Sequence, residues 1–265
     1  QNWTRKNPAA FSLPAGPMHL GYRHTQALAF TALLLCMPAA ITAEGLQPIV
    51  LTIDSVTRVT DVARYRLSQH LARQGCLAEI RFNREPEAAA LMFSLSAQDS
   101  QGTVVLSAKN RDGDWPRSVW VTRRTAGVRS VSDLAERDLA TVAGRDPLAS
   151  ALPLAALEAA GVYPAPARFY ESGDFSSALG LLLHNNTHAA ASEAGFAGQF
   201  LESRDLVITW LGDPVKSVGW YRGNGWSEQA LACEEALGNL RRADDKQAFE
   251  VFPEWVHGFA RTDDQ

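Results

Sequence analysis

After Pro48 the chain runs through IVLTIDSV, a β-branched apolar stretch that predicts a buried strand. Thr57 or Thr60 can then cap a helix over 60–74, in which Ala63, Leu67 and Leu71 recur every four residues before Gly75 ends it. LAEIRF (77–82) reads as a second strand. The stretch from Glu85 to Ala90 suggests a weak helix, and ALMFSL (90–95) fits a strand as well, so the boundary there stays open. GTVVLSA (102–108) and SVWVTRR (118–124) are strands flanking a turn-rich NRDGDWP loop, the second of them leading out of the first half.

The second half opens on Ser130-Val-Ser-Asp133, a capping-box pattern for a helix to about Leu139, followed by a short strand, ATVAG (140–144). Asp146-Pro147 begins a long Ala/Leu helix that ends near Gly161. ARFY (167–170), HAAAS (188–192), DLVITWL (205–211) and KSVGWYR (216–222) read as strands. Helices are expected over 174–184, stopped by Asn185-Asn186, over 227–242, and briefly around 246–252. Strands alternating with helices argue for an α/β chain with mainly parallel pairing. Two halves of similar size, with a strand returning near 216–222, point to two lobes joined by two crossings: 44–122, 123–213, and a C-terminal part, 214–265, packing back on the first lobe.

The first forty-three residues break the pattern. They hold Arg5, Lys6 and Arg23 but no acid, and Ala27–Met37 forms an apolar run about half as long as the ~20 residues of a membrane span. A short basic stretch, a short apolar core and the small residues of PAAITA describe a secretory signal peptide over 18–43, with cleavage near Ala43. Met18 is its expected start, and 1–17 is expected to be upstream sequence or a cloning remnant. Without the leader, 22 basic and 29 acidic residues leave a net charge of −7, which disfavours a nucleic-acid partner. Cys76 and Cys233 then remain as the cysteines, either bridged in an oxidising compartment or buried as separate thiols.

Catalytic and metal chemistry find little support. The chain has no GxSxG, CxxC, GxxxxGK[ST] or GxGxxG, and the Asn pair breaks the helical spacing of His184 and His188. No metal, no cofactor and no catalytic residue is expected. Two helix starts are more suggestive. Asp146-Pro-Leu-Ala-Ser150 and Ser172-Gly-Asp174-Phe-Ser176-Ser177 each follow a strand, so free N–H groups and the positive dipole end offer a place for an anion.

The stretches SVSDLAERDLATVAGRDPLASALPLAALEAAGV and ARFYESGDFSSALGLLLHNNTHAAAS resemble the second lobe of phosphate/phosphonate-type periplasmic solute-binding proteins of ABC importers. The resemblance covers about 128–195 and extends weakly to 48–82 and 214–259. It implies a type II periplasmic-binding-protein-like α/β fold, in which each lobe is a mainly parallel sheet flanked by helices. It further implies capture of a small anionic, phosphonate- or phosphate-like solute in the cleft between lobes, delivery to an inner-membrane permease, and action in the periplasm as a monomer. The chain departs from the family pattern at known places. Ala149-Ser150-Ala151-Leu152 stands where the family has Ser-Thr-Ser-Gly, His188 where it has an aspartate, and Asp174 where a histidine is frequent. The ligand-binding residues expected on this basis are Ser55 and Ser94 in the first lobe and Ser150, Ser172, Asp174 and Glu193 in the second, with the serines donating and the acids accepting. Trp115, Trp120 and Tyr221 are candidate cleft walls. The alternatives are a sensor or interaction module with a degenerate pocket, partnered by a membrane sensor protein, and an enzyme on the same fold.

Overall fold

A computed structural model describes residues 47–55, 59–83, 88–96, 102, 104–144 and 146–262. The leader over 18–43 and residues 85–87 of the weak helix expected at 85–90 lie outside these residues; the rest of that stretch, 88–90, is not helical, with Ala88 at a φ of +58°. The chain opens with strand β1 (Ile49–Ile53) and helix α1 (Asp61–Arg73). The Thr60 hydroxyl accepts the Ala63 amide at 3.1 Å to start this helix, Ala63, Leu67 and Leu71 are buried along it, and Gly75 leaves it at φ +83°. Strands β2 (Ala78–Phe82), β3 (Leu91–Ser94) and β4 (Val104–Lys109) follow.

The chain then crosses into a second sheet through residues 110–116. Strand β5 (Arg117–Arg123) lies there, antiparallel to β8 (Ala189–Glu193) and β9 (Leu206–Pro214), and not at the end of the first sheet where the sequence places it. Its central residues, Ser118 to Thr122, are all buried, so both faces of the strand are covered, and that pattern is the same in either sheet. The other strands of this sheet are β6 (Leu139–Val142), β7 (Phe169–Ser172), β8 (Ala189–Glu193) and β9 (Leu206–Pro214), in the order β7-β6-β8-β5-β9. Between them run α2 (Ala151–Ala159), α3 (Phe175–Leu183) and α4 (Ala194–Gly198). The capping box at Ser130–Asp133 is present but starts only a 3-10 turn. The helix expected from Asp146 is likewise two pieces, a 3-10 turn at Pro147–Ala149 and α2, separated at Ser150, whose φ of −133° is not helical.

The chain returns to the first sheet with β10 (Gly219–Arg222), passes through helix α5 (Leu231–Asn239), and ends in β11 (Gly258–Arg261), which completes the order β11-β4-β10-β3-β1-β2. Each sheet is parallel on one side (β2-β1-β3 and β7-β6-β8) and antiparallel on the other, because the crossing strands β5 and β10 run against their neighbours. Cys76 and Cys233 form a disulfide that ties the turn between α1 and β2 to α5, with Cα atoms 4.8 Å apart and a sequence separation of 157. Above β3 and β10, Phe93, Trp220, Phe249, Phe252 and Phe259 pack edge to face at centroid distances of 4.9–6.2 Å. No described helix is long and apolar enough to cross a membrane.

Candidate functional site

In an open α/β sheet, ligands bind outside the carboxyl ends of the parallel strands, where loops turn into helix starts. In the second sheet those ends are the loop after β6, the loop after β7 and the last residue of β8. Each carries an acid that caps the helical turn following it. Asp146 Oδ1 accepts the Leu148 amide at 3.0 Å, Asp174 Oδ1 accepts the Ser177 amide at 2.6 Å, and Glu193 Oε2 accepts the Phe196 amide at 2.8 Å.

All three starts are also gripped from elements of the first sheet. The Trp255 indole donates to Asp146 Oδ2 at 2.8 Å, and both groups are buried. Glu254 reaches the head of α3, where its Oε2 accepts the Ser176 amide at 3.0 Å and the Ser176 hydroxyl at 2.7 Å. Asn110, just after β4, donates to Glu193 Oε1 at 3.0 Å. Gly195 allows this last approach, since a Cβ there would stand 2.7 Å from Asn110 Nδ2. The loop bearing Glu254 and Trp255 is anchored on its own side by Arg242. This side chain donates to the carbonyls of Val256 at 2.7 Å, Pro253 at 3.0 Å and Phe249 at 3.3 Å.

Four carboxylates at three helix starts make this region acidic. Burial raises the Asp146 carboxyl to about 6, against the lowering effect of its bonds from Trp255 and Leu148. Burial likewise raises Glu193, opposed by Asn110 and by the amides of Phe196, Gly195 and Arg117. It raises Glu254 as well, opposed by Ser176 and by the Arg242 charge, while the neighbouring Asp174 adds to the rise. Arg242 itself falls to about 10 because it is buried, with Glu254 and Glu250 resisting the fall.

The expected ligand residues divide accordingly. Asp174 and Glu193 are at the junction of the sheets, each engaged as a helix cap. Ser150 and Ser172 are close by, but their hydroxyls donate to carbonyls within the second sheet's own strands and loops, Ser150 to Asp146 at 2.6 Å, and Ser172 to Thr141 at 3.1 Å and Asp174 at 3.0 Å. Ser55 and Ser94 stand at the carboxyl ends of β1 and β3; the Ser55 amide donates to Asn83 at 2.8 Å and the Ser94 hydroxyl to the Ser96 carbonyl at 2.8 Å. Trp120 is fully buried, donating to the Pro153 carbonyl at 3.0 Å, and Tyr221 is buried with its hydroxyl on the Ser217 carbonyl; both are core residues and not cleft walls. Trp115 is half-buried at the crossing and lies under the Lys109 ammonium. His188 accepts the Asp138 amide at 3.1 Å, at the opposite, amino end of β8. Among the described residues no cluster of His, Cys, Asp and Glu could hold a metal ion. Sequence reasoning missed Glu254, Trp255 and Asn110. Its one available signal was a Pro-Glu-Trp following an aromatic run, which has no periodicity to give it a direction.

Residues 90–265 match the family model of phosphonate ABC-transporter periplasmic substrate-binding proteins. No curated protein matches the sequence. Among solved structures, the binding-protein component of an ABC phosphonate transporter from Pseudomonas aeruginosa is similar over 82% of each chain, with a TM-score of 0.55 and 12% identity. A Xanthomonas citri protein is similar over 80% of this chain and 90% of its own, with a TM-score of 0.55 and 15% identity in its ATP-bound form. Its chloride-bound form gives a TM-score of 0.54 at 14% identity, with the same coverage. At these identities the likeness to the solved structures is one of fold.

Proposed function

The chain belongs to the periplasmic substrate-binding proteins of phosphonate ABC transporters, and from that premise we propose that it captures a small anionic solute where its two sheets meet and presents it to the membrane permease. The family is one of binding proteins and not of enzymes, and its members act in the periplasm. One observation carries the anionic reading: the head of α3 already holds a carboxylate that comes from the other sheet, through the amide and hydroxyl of Ser176. A helix start that binds one anion in this way has the donors, the dipole and the access to bind another. The solute would draw elements of both sheets together, and the permease would read that closure.

Calorimetric titration with methylphosphonate and inorganic phosphate tests this. Saturable binding is expected for the wild type, and Ser176→Asp is expected to abolish it by placing a fixed negative charge at the helix head. Ser176 is exposed and acids are tolerated in the first turn of a helix, so this variant should keep its fold. A wild type that binds neither anion, or a Ser176→Asp variant that binds them equally well, removes the anionic reading.

A further inference from the structure

We propose that Glu254 is a resident occupant of the solute site, a carboxylate belonging to the chain that clasps the two sheets together and must be displaced before an external anion can bind. The inference rests on the anionic reading above and adds a built-in threshold to it. Three observations carry it. First, the Ser176 amide and hydroxyl both go to Glu254 Oε2, so the donors an anion would use are already satisfied. Second, the adjacent residue, Trp255, makes an independent bond across the same junction to Asp146, so the two consecutive residues grip two different helical starts of the second sheet. Third, Arg242 fixes the loop through carbonyls on both sides of Glu254, and Phe249 and Phe252 hold it in the aromatic cluster. The loop thus presents Glu254 from a fixed base.

The consequence is competition within one molecule. A group held on an anchored loop faces its partner at an effective concentration on the order of millimolar or more, where a free solute arrives at whatever concentration surrounds the protein. Apparent affinity falls by the fraction of molecules in which the helix head is vacant. Electrostatics adds to the threshold. With Glu254 seated, an incoming anion meets Asp174 and Glu254 together at the helix head; with Glu254 withdrawn, one of those charges leaves. Recognition is therefore biased toward solutes whose anionic group binds the helix head more strongly than a single carboxylate does.

Glu254→Ala separates the possibilities, because the half-buried side chain can be removed while Arg242 keeps the loop in place. The test measures the distance between spin labels placed on the two sheets in ligand-free protein, and then titrates methylphosphonate and inorganic phosphate. The variant should show a longer or broader distance distribution than the wild type and should bind the anions about tenfold more tightly. Glu254→Gln, which can still accept from Ser176 but carries no charge, should fall between them. A longer distance with no anion bound by either protein would support the clasp and remove the anionic solute. An unchanged distance distribution in Glu254→Ala overturns the proposal, whatever the affinities.

Discussion

Asp146 keeps its carboxyl out of water and in contact with two donors, Leu148 and Trp255, yet burial outweighs both and lifts its pKa from 3.8 to about 6. The native state therefore holds this proton more tightly than the unfolded chain does. The stability associated with it is complete below about pH 4 and is lost as pH rises through 6, amounting to about 3 kcal/mol for a shift of this size. Calorimetry from pH 4 to 7 should show Asp146→Asn losing less stability over that range than the wild type; parallel curves would show that another group is responsible. Gly195 is a second single-residue test. A methyl group there would collide with the Asn110 amide and disturb its bond to buried Glu193, so Gly195→Ala should lower stability by about 1–3 kcal/mol in chemical denaturation. The helix starts at Asp146 and Asp174 were legible in the sequence, since an acid between a strand and an apolar run has one common local use, whereas the cap at Glu193 was not, that residue having been read only as a ligand contact. Glu254 was not, because its partner lies 78 residues away and nothing local encodes the meeting.

Among the elements, α1 was read almost to the residue, because cap, periodicity and terminating glycine all agree there. The segment after Asp146 misled, since a proline at the first turn suits either an α-helix or a 3-10 turn, and the break at Ser150 leaves no composition signal. For β5 the element itself was read correctly and its sheet was not, since burial on both faces looks the same in either setting. The disulfide is the clearest test at this scale. It closes a loop spanning 157 residues, and in the chain-entropy account such a constraint stabilises by about 5 kcal/mol. Reduction, or Cys76→Ser together with Cys233→Ser, should lower the denaturant midpoint accordingly, and an unchanged midpoint would mean that packing of α1 and α5 suffices without the bond.

For the whole molecule, alternation of strands and helices, together with a returning strand, was enough to anticipate two α/β sheets; which strands run antiparallel was not, because that depends on where the crossings fall. The placement of those crossings also sets an order of assembly. Every strand of the second sheet comes from the unbroken stretch between Arg117 and Pro214, whereas the first sheet is made from segments on either side of it. The second sheet is in effect an insertion into the first. As the chain emerges from its amino end, the inserted part can complete its strand set while the host still lacks β10 and β11, and the host closes only when residues near the carboxyl end arrive to be secured by Cys233.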